Sequence, residues 1–189
     1  MALLNITRLE AINRVLNAVG ETPVNTIDTS ESVEVAIIND MIDYTSRNLQ
    51  SVGYDFNTID VLILTPDVRD NRIVYPDNLI YVESPDIVVA KRGIYLYNVT
   101  DRTYEFTAPV TLEAIEALDF EDLPHHFKIY VEAKVSKEYQ ERYLGDNVLA
   151  EELSQKVSEA HLEVMRYDVN RGNYNIIDQN PTISGILRR

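Results

Sequence analysis

Apolar residues near the start of the chain recur every three or four positions: Leu9, Ile12, Leu16 and Val19, with Ala11 and Val15 beside them. That period predicts an amphipathic helix over residues 7–19. Thr7 and Glu10 stand three apart at its start, the spacing of a capping box, and Gly20 and Pro23 follow its end. A second stripe, Val33, Ile37, Met41 and Ile42, predicts another helix ending near Leu49, with Asp28 and Glu31 as its capping pair and Gly53 at its exit. Two such helices joined by a short loop predict an antiparallel pair.

The period changes over residues 54–110, where Tyr, Val and Ile runs are broken by turn residues. Candidate strands are 54–64, 72–75, 79–82, 87–90, 94–98 and 103–106, punctuated by Pro66-Asp67, Pro76-Asp77-Asn78 and Pro85-Asp86. Lys91-Arg92-Gly93 fits a three-residue hairpin connection. Residues 111–119 are predicted as a short helix. Pro124 opens a longer one carrying Phe127, Tyr130, Val131, Val135, Tyr139 and Tyr143, closed by Gly145. Asp146 caps the next, where Leu149, Leu153, Val157, Ala160, Val164 and Tyr167 share a face.

The predicted class is therefore α+β: an antiparallel bundle of about four main helices with a small, mostly antiparallel β-sheet inserted, and an extended C-terminal arm. The divisions are an N-terminal helical pair (1–53), a β-rich insertion (54–110), helices completing the bundle (111–171) and the arm (172–189). The arm has no sustained period, yet it carries Tyr174, Ile176, Ile177, Ile183, Ile186 and Leu187 before Arg188 and Arg189. Those apolar residues need cover, either on the domain itself or on a neighbour.

Composition narrows the chemistry. The net charge of -14 is spread along the chain, and only the last 18 residues lean positive. No basic groove for nucleic acid is visible. Acidity suits a surface past which DNA slides without sticking, and equally an ordinary acidic protein. The absence of cysteine removes disulfides, thiol catalysis and cysteine-ligated metals. No apolar run reaches the length of a membrane span, and the N-terminus lacks a signal-peptide pattern, so the chain is expected to be made in the cytoplasm and stay soluble.

No phosphate loop, Gly-x-Ser-x-Gly elbow or EF-hand spacing occurs. His125-His126 are adjacent and so do not share a helix face; with His161, they read as surface or interhelical residues and not as metal ligands. The carboxylate groups Glu151-Glu152, Glu159/Glu163 and Asp119/Glu121/Asp122 read as solvated faces. Hydrolytic work would need opposed acids across a cleft. Lys91-Arg92 reads as a surface turn. No cofactor, metal or catalytic residue is predicted.

Several segments resemble one family in order. They are Leu9-x-Ala11-Ile12-Asn13-x-Val15-Leu16-x-x-Val19-Gly20-Glu21-x-Pro23-Val24, then Gly53-Tyr54-Asp55-Phe56-Asn57, then Leu64-x-Pro66-Asp67 with Ile73-Val74-Tyr75. They continue with Arg166-Tyr167-Asp168, Gly172-Asn173-Tyr174-Asn175 and Ser184-Gly185-Ile186-Leu187. Together they resemble the tail tubular protein A family of T7-like short-tailed bacteriophages, across nearly the whole chain.

The resemblance implies a virion tail protein and not an enzyme. It implies a ring of twelve copies between the portal protein and a nozzle resembling tail tubular protein B, with attachment surface for tail fibres. DNA would pass through its channel without sequence-specific binding. It maps residues 172–189 to the portal-docking arm, with Tyr174, Ile176, Ile177, Ile183, Ile186, Leu187, Arg188 and Arg189 as docking residues. The alternatives are a particle-associated cell-wall glycan hydrolase or another head-completion connector.

Overall fold

The protein is described by a computed structural model over residues 5–28 and 32–171. It is α+β, as the pattern predicts: four principal helices, with short antiparallel strands placed between the second and third. In chain order these are α1 (Arg8–Ala18), α2 (Val33–Gln50), β1 (Thr58–Leu64), β2 (Leu79–Glu83), β3 (Val89–Arg92), β4 (Tyr95–Asn98), β5 (Val110–Glu116), α3 (His125–Tyr143) and α4 (Asn147–Arg171). A short 3-10 turn covers Phe120–Asp122. The chain divides into two compact units, Met1–Asn25 with Pro124–Arg189, and Thr26–Leu123.

In the first unit α1 and α4 both pack on α3. The Thr7–Glu10 capping box forms in both directions: the Glu10 amide donates to Thr7 Oγ1 at 3.2 Å, and the Thr7 amide donates to Glu10 Oε2 at 2.8 Å. That backbone hydrogen bond holds the Glu10 carboxyl below its ordinary range. Ala11, Ile12, Val15 and Leu16 bury the inner face of α1; Phe127, Val131 and Val135 bury that of α3; Leu153, Ala160 and Val164 bury that of α4. Each large buried side chain contributes about 1.5–3 kcal/mol through removal from water. Gly145, at φ +69°, turns the chain out of α3, and Gln140 Nε2 donates to the Asp146 carbonyl to close the turn. Asp146 then caps α4 by accepting from the Val148 and Leu149 amides.

In the second unit the strands form a three-stranded antiparallel sheet, β1-β5-β2, and a two-stranded one, β3-β4. One core serves both: Leu79, Val82, Leu96, Val110, Leu112 and Ala114 meet Ile73, Tyr75 and Phe106.

Some predicted elements change. Residues 111–119, expected as a helix, form most of β5, the central strand. Val110, Leu112 and Ala114 point inward while Thr111 and Glu113 point outward, which is a period of two. The strand expected from residue 54 begins at Thr58, because Tyr54–Asn57 close a turn with the Asn57 amide on the Tyr54 carbonyl. Segments 72–75 and 103–106 make only isolated bridges. The hairpin connection is Gly93-Ile94, since Arg92 pairs with Tyr95. The cap of α2 is Ser32, whose hydroxyl accepts from the Val35 amide at 3.2 Å, and not Asp28; Glu31 lies outside the described residues.

Candidate interaction surfaces

Three of the motif segments, within the described residues, prove to be places where one polar side chain fixes a change of direction. Asn13, on α1, grips the segment that follows the helix: its Nδ2 donates to the Val24 carbonyl at 2.8 Å, and its Oδ1 accepts from the Val24 amide at 2.7 Å. Within the 53–57 segment, Asn57 is buried. It donates to the carbonyls of Gln50 and Glu116 at 3.0 and 2.8 Å and accepts from the Tyr54 amide at 2.9 Å. Asp67 organises the next loop, accepting from the Arg69 amide on its side chain and from the Asn71 amide on its carbonyl. Polar groups satisfied in this way, fully buried in the case of Asn57, specify one backbone path. These segments are therefore architectural.

The sequence-predicted chemical candidates lie mostly at the surface, in ring contacts or exposed ion pairs. The His125 and His126 rings lie 5.9 Å apart; His126 sits 5.4 Å from Tyr167, and His161 5.2 Å from Tyr130. Among the described residues no group of three or more His, Asp or Glu side chains is placed to hold a metal ion. Glu152 pairs with Lys156 at 3.2 Å and Glu163 with Arg166 at 2.6 Å, both along α4. Asp119 precedes the 3-10 turn that contains Glu121 and Asp122. Lys91 lies over the Tyr75 ring at 4.7 Å and Arg92 over Tyr97 at 3.7 Å, which commits this basic pair to the second unit's own tyrosines. The predicted docking residues Tyr174, Ile176, Ile177, Ile183, Ile186, Leu187, Arg188 and Arg189 lie outside the described residues.

A concave surface lies in the first unit. A groove of about 780 Å³ runs between α1 and α4 with α3 as its floor. Ile129, Ala133 and Ser136 form that floor, Ala18 and Leu153 the lower walls, and Lys156, Glu159 and Arg166 part of the rim. Small residues on α3 let the flanking helices stand apart without filling the space between them.

One charged pair spans the groove's α1 side. Arg14 Nη1 donates to Glu132 Oε2 at 3.2 Å, with the Glu132 side chain only 17% exposed. Burial raises the Glu132 pKa, and the Arg14 charge pulls it down in part. The arrangement anchors α1 to α3 and presents a charge-rimmed apolar trough, a shape suited to receiving a helix or extended segment. The sequence reading missed Arg14 and Glu132. They are 118 positions apart, but Ile129, Glu132, Ala133 and Ser136 do form a second stripe on α3 that signals a half-covered face.

Among the described residues no helix is long and apolar enough to cross a membrane. A family model described as tail tubular protein matches residues 9–174. A tail tubular protein A from Klebsiella phage KP34 is 34% identical over 125 residues, 65% of this chain and 66% of that relative, just under two thirds of its length.

Proposed function

This chain belongs to the tail tubular protein family, and from that membership we propose that it is an adaptor ring subunit of a short-tailed bacteriophage, seated between portal and tail nozzle. The observation that carries the reading is the family match over residues 9–174, which takes in both compact units.

The physical features support it. A closed ring needs two different faces on each subunit. The groove of the first unit supplies a concave one. Glu152 with Lys156 and Glu163 with Arg166 pair along α4, as in a supporting surface. Twelve copies would enclose a channel through which DNA passes during packaging and ejection, and an acidic wall limits phosphate contacts. The arm from Gly172 to Arg189 reaches the portal. Burial of Ile176, Ile177, Ile186 and Leu187 there offsets the cost of ordering it, and Arg188 and Arg189 meet acidic groups on the portal. The β-rich unit faces the nozzle and the fibres.

Particles assembled without this chain test the reading. They are expected to carry portal and packaged heads but no nozzle. Nozzle attachment in its absence would contradict an adaptor role.

A further inference from the structure

Among the described residues, the outer face of the three-stranded sheet is exposed around Thr111 and Glu113. Because β5 lies between β1 and β2, Glu113 is at the centre of that face. Glu83 on β2 is its register partner, so two exposed carboxylates stand directly opposite one another. Like charges in that position destabilise a sheet. Among the described residues neither is ion-paired with a Lys or Arg, and Glu83 instead accepts a hydrogen bond from the Tyr81 hydroxyl at 3.2 Å. On its other side Glu113 lies across from the register irregularity between Ile59 and Leu62. Val61 and Ile63, on edge strand β1, are 67% and 61% exposed, and Tyr81 is 51% exposed. An apolar face around an uncompensated acidic pair calls for a ligand that is apolar and carries one cation.

The same unit displays that chemistry elsewhere. In the loop after β1, Val68 is 98% exposed, and exposed Arg69 follows it. The loop is stiff. Asp67 donates its amide to the Arg72 carbonyl at 2.8 Å, Asn71 donates to the Asp67 carbonyl at 2.9 Å, and the Arg69 and Arg72 amides are held by the Asp67 and Asp70 carboxylates. Asn71 takes φ +57° to complete the turn. Arg72 is committed to the Tyr95 and Tyr104 rings, whereas Arg69 makes no ion pair among the described residues. A stiff apolar-plus-cationic tip loses little freedom on binding.

We propose that the Val68–Arg69 tip of one copy seats on the outer sheet face of the next copy, with Arg69 bridging Glu83 and Glu113 and Val68 covering Val61 and Ile63. The contact is heterologous, and it rests on the ring reading above. It gives the β-rich unit its own role in subunit joining.

The cysteine-free chain allows a clean test. Full-length Arg69→Cys and Glu113→Cys proteins, mixed and oxidised in the assembled state (with portal protein if the chain alone stays monomeric), are expected to form the mixed 69–113 dimer. The double variant is expected to give a ladder of linked subunits. Arg69→Glu is expected to weaken assembly by about tenfold or more, and adding Glu83→Arg with Glu113→Arg to restore most of it. Circular dichroism checks that each variant is folded. Rings that form unchanged with Arg69→Glu and give no 69–113 link would overturn the contact and leave the ring reading standing. Absence of any ring from the unaltered chain, alone or with portal, would overturn both.

Discussion

Gln50 holds Leu118 by both ends of its side-chain amide. The Leu118 amide donates to Gln50 Oε1 at 2.7 Å, and Gln50 Nε2 donates to the Leu118 carbonyl at 3.0 Å. Gln50 is fully buried at the last turn of α2, and Leu118 follows β5, so one side chain joins helix and sheet within the second unit. Gln50→Ala strands two backbone groups and leaves a void, so it should destabilise by roughly 2–4 kcal/mol. Denaturant unfolding measures this. A change below about 0.5 kcal/mol, the level of an ordinary surface substitution, would show that the clamp does not hold the junction.

Gly53 and Gly20 both take left-handed backbone, at φ +79° and +81°, yet they differ in surroundings. A Cβ on Gly53 would come within 2.9 Å of Ile115 Cδ1, and one on Gly20 meets nothing within 4 Å. Gly20→Ala should therefore cost about 1 kcal/mol from backbone strain alone. Gly53→Ala should cost measurably more, because Ile115 must also move. Equal melting temperatures for the two variants would show that Ile115 yields freely.

The Arg14–Glu132 pair predicts a pH signature. Burial raises the folded pKa of Glu132 above its unfolded value, so the folded state holds that proton more tightly. The group's stabilising contribution is present at acid pH and is lost as pH rises from the ordinary carboxylate range through the folded pKa. Glu132→Gln should thus match or exceed the parent protein at pH 7, with its advantage shrinking towards pH 4. Arg14→Ala should destabilise by roughly 1–3 kcal/mol at pH 7, through the buried carboxylate left without its cation, and by less at pH 4. A Glu132→Gln protein that is weaker at pH 7 and recovers at pH 4 would reverse the assigned sign.

A chain ending at Gly172 should keep the melting temperature of the full protein within about 2 °C, the scale of roughly 0.5–1 kcal/mol for a chain of this size, and fail to bind portal protein. Loss of the fold would place Tyr174, Ile176 and Ile177 in the core instead. Retained portal binding would remove the arm from the docking surface.

Where local period and packing agree, the fold is readable from sequence. Leu9, Ile12 and Leu16 mark α1, and Thr7–Glu10 marks its start, because these interactions are within one helix. The centre of the sheet is harder to read. Val110-Thr111-Leu112-Glu113-Ala114 alternates over too short a run to be told from a helix turn by pattern alone, and its strand state depends on β1 and β2 on either side. The motif residue Asn57 is visible in sequence, but its work is not: it and Gln50 act through backbone groups 59 and 68 positions away. The groove and the Glu83–Glu113 pair depend on register and helix spacing that no local pattern carries.

The native mass of the purified full-length chain, measured alone and with portal protein, tests the adaptor role most directly. An adaptor is expected to give a complex of twelve copies on the portal, whether or not the chain already associates by itself. A chain that remains monomeric in both conditions would contradict it.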